Sequence, residues 1–270
     1  MAIPKIIHFC WFGRGQKNEL AEKCIASWKK YCPDYVLKEW NEDNFDLDCN
    51  KYVRQAYDNR KFAFVTDYVR LYALYNEGGI YMDTDVEVLK PLDEFLKHSA
   101  FSSFENNNKI PTGIMAAEKG NAWIKDLMDE YTDLEFVDSK GNMDLTTNVE
   151  RITNLTLNKY GLNPVSSYQE LADGVVTFYP HDWFCPKDWQ TGNINLTENS
   201  HTIHHFSGSW HSEEDKRRNE KYKKLREKYI ARYGEEKTDR IFASRNTLLR
   251  IWYNLCHPSH AVKKIFEKLG

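Results

Sequence analysis

The chain has 270 residues, of which 41% are hydrophobic and 14% aromatic, and a formal net charge of −3. That is long enough for one large α/β domain, or a domain with an appendage, and too apolar for a disordered chain. No apolar run approaches the roughly 20 residues that span a bilayer, and no charged leader precedes the first strand, so the expected location is the cytoplasm.

Six cysteines, at positions 10, 24, 32, 49, 185 and 256, form no CxxC pair. They read as reduced core residues and argue against a structural zinc site. Asn154-Leu155-Thr156 and Asn195-Leu196-Thr197 fit the glycosylation pattern, but without a secretory signal they carry no weight. The 24 Tyr and Trp residues exceed what packing alone demands and are available to stack on bases and sugars.

In chain order, IPKIIHFCW (residues 3–11) predicts a first strand that ends at Gly13 and Gly15. Leu20, Cys24, Trp28 and Tyr31 then recur at helical spacing, and Tyr35 to Trp40 predicts a second strand closed by the polar loop NEDNFD. This β-α-β order suggests a parallel sheet. Residues 61–77, KFAFVTDYVRLYALYNE, predict a helix stopped by Gly78-Gly79, where the first glycine can supply a left-handed C-cap. Asp67 and Arg70 lie three apart on it and so share a face, as a structural ion pair or as part of a site.

Residues 80–89 predict a buried strand that carries Asp83 and Asp85 two apart, hence on one face. Buried carboxylates cost several kcal/mol unless something repays them. A divalent cation would, because hard oxygen ligands suit magnesium or manganese; a solvated strand end that caps a neighbouring helix is the alternative. After Pro91 come a short helix, strands at AFSSFEN and near GIMAA, and helices at 121–131 and 146–160. Residues 180–192, PHDWFCPKDWQTG, form an irregular aromatic stretch of the kind that covers a ligand. TIHHF then precedes SGSW, and the chain reads as charged helix from Glu213 onward.

Taken in order, IPKIIHFCWFG, FAFVTDYVRLYALYNEGG, IYMDTDVEVL and HHFSGSW resemble family thirty-two of the glycosyltransferases, the sugar-transferase family with a DXD motif, in its bacterial capsular polysaccharide branch. That family also contains yeast mannosyltransferases and is distantly similar to the glucosylating domains of clostridial toxins. The resemblance covers about residues 1–211. It implies an α/β GT-A (nucleotide-diphospho-sugar transferase) fold over residues 1–211, followed by a basic helical extension over 212–270.

The resemblance also implies roles. Asp85 would be the direct ligand of Mn2+ or Mg2+, and Asp83 would contact the metal or the ribose. His205 is expected as the second metal contact because HFSG resembles the HFxG segment of related transferases, with His204 pointing the other way. Trp11 would stack on the nucleotide base, Asp67 would hold donor-sugar hydroxyls, and Arg70 would contact the sugar or its diphosphate. Ser209 and Trp210 resemble a pair that closes over the diphosphate, with the indole N–H donating to a phosphate oxygen. Family members retain the anomeric configuration. No carboxylate here declares itself as a covalent nucleophile, so front-face displacement is expected, with Glu105 and Asn148 candidates for the acceptor side.

The function expected is therefore metal-dependent transfer from a nucleotide-diphosphate sugar, UDP-linked first of all, to a glycan or lipid-linked acceptor in capsular or surface polysaccharide synthesis; no nucleic-acid partner is expected. A haloacid dehalogenase-like phosphatase also has a strand followed by DxDxV, but on its first strand, and a non-catalytic sugar-binding module would explain the aromatics but not the charged pocket. Residues 212–270 hold 16 Lys and Arg against 9 Asp and Glu, whereas residues 1–211 hold 21 against 31. With Leu248, Leu249, Ile251, Trp252 and Leu255 at helical spacing, that tail would either touch anionic membrane at the inner face of the cell or pack as a cap on the domain.

Overall fold

The computed structural model describes residues 2–105, 109–189, 191–208, 213–234, 237–238 and 241. The chain divides into two compact units, Met1–Trp210 and His211–Gly270. The second contributes one described helix, Glu213–Tyr233 (α7).

In the first unit, strand β1 (Ile6–Cys10) leads to helix α1 (Glu19–Tyr31) and strand β2 (Val36–Trp40). The Asn18 side chain caps α1 by accepting from the Ala21 N–H, with acids in the first turn and lysines in the last, as the helix dipole favours. A short helix α2 (Lys51–Asp58), which the polar spacing did not predict, is capped by Asn50. It packs on α3 (Phe62–Glu77), the helix expected at 61–77. Strands β3 (Gly79–Met82), β4 (Val86–Val88), β5 (Ala100–Ser103) and β6 (Ile114–Ala117) follow, then α4 (Ala122–Asp129) and α5 (Asn148–Tyr160). Strands β7 (Gln169–Leu171) and β8 (Val176–Tyr179), a single helical turn α6 (His181–Phe184) and β9 (Thr202–His204) complete the unit.

Seven strands form one sheet in the order β2-β1-β3-β6-β5-β8-β7, and β4 pairs with β9 in a separate ribbon. β1 is parallel to β2 and to β3, while β6 is antiparallel to both β3 and β5. β8 runs parallel to β5, with β7 antiparallel at the edge. The sheet is therefore mixed rather than purely parallel: β1, β2, β3, β5 and β8 point one way, and their carboxyl ends share one edge. This is the expected α/β class, and in such sheets the crevice outside those ends is where ligands bind.

The period of two divides the side chains between the two faces. Ile7, Phe9, Ile80, Met82, Ile114 and Ala116 pack with Cys24 and Trp28 of α1 on one face. Cys10, Tyr81, Met115 and Ala117 pack with α2, α3 and α4 on the other. Among the described residues Cys10, Cys24, Cys32 and Cys185 are buried free thiols and Cys49 an exposed one. The turn from α3 into β3 requires both glycines. Gly78 has φ +71 and a Cβ there would stand 2.7 Å from the Lys119 nitrogen; Gly79 has φ +122 and a Cβ there would stand 2.7 Å from the Ile6 oxygen. With ψ at 175°, Gly78 ends α3 in an extended left-sided conformation rather than a left-handed helical cap.

Candidate active site

The DTD segment is not part of one long strand. β3 stops at Met82, the Asp83 N–H donates to the Gly113 carbonyl at 2.8 Å, and the Val86 N–H donates back to the Asp83 carbonyl at 2.9 Å. Asp83 and Asp85 thus sit on a turn between the main sheet and the β4–β9 ribbon, at the carboxyl edge. The uninterrupted strand expected over 80–89 is corrected on this point. The apolar run was continuous, but Val86 and Val88 are buried in a different sheet from Ile80 and Met82.

Behind the turn, α3 delivers two buried charges. Arg70 is 3% exposed and Asp67 7%, so neither is solvated and each needs partners. Arg70 Nη2 stands 3.6 Å from Asp67 Oδ1 and 3.3 Å from Asp83 Oδ1. Its Nη1 donates to the Thr112 carbonyl, its Nε to the Thr66 carbonyl at 3.2 Å, and its guanidinium lies 4.4 Å from the Tyr81 ring centroid. The Tyr81 hydroxyl donates to Asp83 Oδ1 at 3.0 Å. Burial pushes the Asp67 carboxyl up to about 7, with Arg70 opposing and Asp83 adding to the rise. Burial also works against the charge on Arg70, but Asp83, Tyr81 and Asp67 outweigh it and keep the guanidinium protonated.

In front of the turn, Asp85 Oδ1 stands 3.4 Å from His204 Nε2, and Asp85 Oδ2 accepts the Ser207 N–H at 2.8 Å. Burial alone would raise the Asp85 carboxyl; the His204 charge and the hydrogen bonds from His204 and Ser207 outweigh it and hold it below the usual carboxylate range. For His204, burial is likewise overcome by Asp85, which raises the imidazole well above its ordinary value. Its Nδ1 is buried and makes no well-formed hydrogen bond, although the Cys185 thiol lies close enough to bear on its charge.

Asp83, Asp85 and His204 each offer a ligand atom, and these atoms lie within 4.8 Å of one another. An octahedral shell about 2.1 Å in radius has adjacent ligands about 3 Å apart and opposite ones about 4.2 Å apart, so a small closure fits the three to one cation. Arg70 faces Asp67 and Asp83, while Asp85 is paired with His204. Two carboxylates and one imidazole are a donor set for a divalent cation.

The expectation of His205 in this role is corrected: the structure brings His204 to the aspartates. His205 Nε2 instead meets Glu87 Oε2 at 2.8 Å, the same oxygen that Lys23 reaches at 2.9 Å. The HFSG resemblance selected the neighbouring histidine, and the expectation that His204 points the other way does not hold. Within the ribbon Val86 pairs with His204, so His204 faces inward towards Gly113 while His205 takes the Glu87 side. Tyr81, Gly113 and the Ser207 N–H also went unrecognised. The tyrosine lay in plain view two residues before Asp83, but an i, i+2 contact at a strand end carries no periodic signal.

Trp11 follows β1, the hydrogen-bonded neighbour of β3, on the same edge. Its N–H donates to the Trp40 carbonyl at 2.9 Å and its indole N–H to the Gly15 carbonyl at 2.6 Å. Lys17 Nζ lies 5.6 Å from the half-buried ring. Glu105 follows β5 and is buried, and Asn148 opens α5 with its Nδ2 buried and without a partner. Ser209 and Trp210 lie outside the described residues, as do Leu248, Leu249, Ile251, Trp252 and Leu255.

Residues 18–102, which hold α1, α3 and the DTD turn, match the family model of the glycosyltransferase sugar-binding region containing DXD motif. The chain is similar to inositol phosphoceramide mannosyltransferase 3 of Schizosaccharomyces pombe, 31% identical over 131 residues, which are 46% of this chain and 35% of the relative. It is also similar to subversion of eukaryotic traffic protein A of Legionella pneumophila, 29% identical over 161 residues, 47% of this chain and 24% of the relative. The chain thus spans about a third or less of the length of these curated relatives. Among solved structures, a glycosyltransferase involved in glycosylation of the major capsid of PBCV-1 aligns with a TM-score of 0.47 at 12% identity, covering 82% of this chain and all of that one. The matched residues include Asp67, Arg70, Asp83 and Asp85, whereas Thr112, Gly113, His204 and Ser207 lie outside them.

Proposed function

We propose that the chain is a metal-dependent, retaining glycosyltransferase that moves a sugar from a nucleotide-diphosphate donor, UDP-linked first of all, to a glycan or lipid-linked acceptor. The observation that carries this reading is the buried pair Asp67–Arg70, which reaches the half-buried Asp83, joined to the Asp83–Asp85–His204 triad at the carboxyl edge of the sheet. A binding module needs no such concentration of partly desolvated acids, whose cost a bound cation would offset.

In this reading Asp83, Asp85 and His204 hold Mn2+ or Mg2+, which supplies Lewis-acid neutralisation of the departing diphosphate. Arg70 is fixed by the Thr112 and Thr66 carbonyls and by Asp83, so it presents its charge at no further ordering cost, to the sugar or to the diphosphate. Asp67 accepts hydrogen bonds from donor-sugar hydroxyls, and Trp11 receives the base. Ser209 and Trp210 close over the diphosphate. Glu105 and Asn148 serve the acceptor side, and the acceptor proton leaves with the phosphate oxygen on the face of departure, which preserves the anomeric configuration.

Residues 1–211 form the catalytic domain and 212–270 a basic extension that brings a cytoplasmic enzyme to the inner face of the membrane, within capsular or surface polysaccharide synthesis. The lipid acceptor named for the fission yeast relative supports the lipid-linked option. Among the described residues no helix is long and apolar enough to cross a membrane.

Incubation with UDP-glucose, UDP-galactose, their N-acetyl forms or GDP-mannose and Mn2+ tests the reading. Release of nucleoside diphosphate with one of these donors is expected. Release of inorganic phosphate from a monoester instead would identify the phosphatase, and no turnover with any donor would leave a sugar-binding module.

A further inference from the structure

The peptide Thr112–Gly113, at the entry to β6, touches three parts of the site at once. The Thr112 carbonyl accepts from Arg70 Nη1, and the Gly113 carbonyl accepts the Asp83 N–H at 2.8 Å. The bare Cα of Gly113 forms the wall against which the His204 ring lies. A Cβ at 113 would stand 2.8 Å from Nδ1 and 3.0 Å from both Cε1 and Cγ of that ring. Real Cβ atoms do not approach so closely, so the imidazole would have to move.

It has little room to do so. Its other side meets Phe206, with ring centroids 4.1 Å apart and planes 33° apart. Phe206 is itself held in the left-handed region, φ +52, between His205, whose N–H pairs with the Asp85 carbonyl, and Ser207, whose N–H is bound to Asp85 Oδ2. The imidazole is thus a plate between a glycine and a phenyl ring, with Nε2 directed at Asp85. A ligating imidazole must keep the metal in its own plane along the Nε2 lone pair, and most such rings are oriented by a hydrogen bond from the other nitrogen. Here Nδ1 has the Cys185 thiol beside it but makes no well-formed hydrogen bond; the close walls add to the orientation of the ring.

We propose that Gly113 is a positioning residue for the cation site: its missing side chain seats His204 edge-on to Asp83 and Asp85, while its carbonyl holds Asp83 in reach. The role presupposes the cation site proposed above.

Mn2+ titration of the full chain without nucleotide, read by the paramagnetic resonance of the free ion, tests it, together with thermal unfolding in EDTA. Gly113→Ala is expected to weaken Mn2+ binding about 10-fold, the scale of losing a group that orients a ligand. His204→Ala should weaken it by at least as much. In the double variant the alanine at 113 should cost no further affinity, and the protein should melt above Gly113→Ala because the ring that met the new Cβ is gone. Wild-type-like Mn2+ affinity in Gly113→Ala overturns the role, as does a Gly113→Ala penalty of equal size in the His204→Ala background. If Gly113→Ala does not fold, a folded double variant supports the seat and an unfolded one refutes it. Failure of the wild type to bind Mn2+, with Asp85→Asn indistinguishable from it, removes the cation site itself and this role along with it.

Discussion

The Trp40 indole N–H points at His8 Nδ1 across 3.1 Å, while His8 Nε2 meets the Gly78 carbonyl at 2.8 Å. An indole can only donate and a carbonyl can only accept, so the ring must be neutral, with its proton on Nε2. His8 is wholly buried, and burial lowers its pKa below the ordinary 6.5, with the Gly78 carbonyl partly opposing. The unfolded chain therefore binds this proton more readily than the folded one. The stability His8 supports is full above about pH 6.5 and is lost as pH falls towards the folded value, with a slope of at most about 1.4 kcal/mol per pH unit. Urea unfolding of wild type and His8→Gln between pH 5 and 7.5 measures it. The variant should be less stable at pH 7.5 and show a flatter slope; equal slopes would assign the acid sensitivity to other groups.

Tyr81→Phe keeps the ring beneath Arg70 and removes only the hydroxyl that donates to Asp83. Losing one such bond is worth about 1 kcal/mol. The Mn2+ concentration for half-maximal turnover should therefore rise about 5-fold, with kcat at saturating Mn2+ nearly unchanged. A loss of kcat that excess Mn2+ does not restore would place Tyr81 in the chemistry rather than in the orientation of Asp83.

Asp85→Asn exchanges a carboxylate for a neutral amide, a much weaker ligand for a hard cation. Turnover should drop at least about 100-fold, the scale of several kcal/mol of lost leaving-group stabilisation. Circular dichroism should remain that of the wild type, since Asp85 lies on a turn and not within a strand. Near-normal turnover in saturating Mn2+ would sink the metal assignment.

Legibility divided along physical lines. α1, α3 and the first strands declared themselves because their apolar residues repeat at 3.6 or 2 over many positions, and Asp67, Arg70, Asp83 and Asp85 stood out as charges inside such patterns. α2 stayed hidden because its buried face holds only Tyr52, Val53 and Ala56, among polar residues that looked like a loop. The break between β3 and β4 was invisible because pairing partners far along the chain, Ala116 and Ile203, decide which sheet each half joins. His204 was passed over because the HFSG resemblance favoured its neighbour. Gly113 could not have been singled out, since its importance lies in a ring 91 positions later.

Trp11→Ala tests the nucleotide end. If a base stacks on this indole, affinity for the free nucleoside diphosphate should weaken by roughly 1 to 3 kcal/mol in calorimetry. Lys17 beside the ring would then face the bound nucleotide's surroundings, so Lys17→Ala should cost less than the tryptophan itself. Unchanged affinity in a folded Trp11→Ala protein returns the residue to a structural role, closing the β1–β2 edge through its backbone bond to Trp40.

The tail is the remaining test. In α7, nine Lys and Arg face five Asp and Glu within EEDKRRNEKYKKLREKYIARY, and the excess of basic residues continues to position 270. If residues 212–270 bring the enzyme to a lipid-linked acceptor, the full chain should sediment with vesicles of anionic lipid and stay in solution with neutral ones. Each basic residue at the surface contributes only about 1 kcal/mol, and its field decays within about 8 to 10 Å at physiological salt. Binding should therefore weaken strongly between low salt and about 0.5 M salt, unlike burial of an apolar stripe against protein. Removing residues 212–270 should abolish sedimentation while leaving the rest folded and able to bind Mn2+. Indifference of the full chain to anionic vesicles at low salt refutes the membrane role, as does unfolding of the shortened chain with vesicle binding unchanged, and either outcome makes the segment a structural cap.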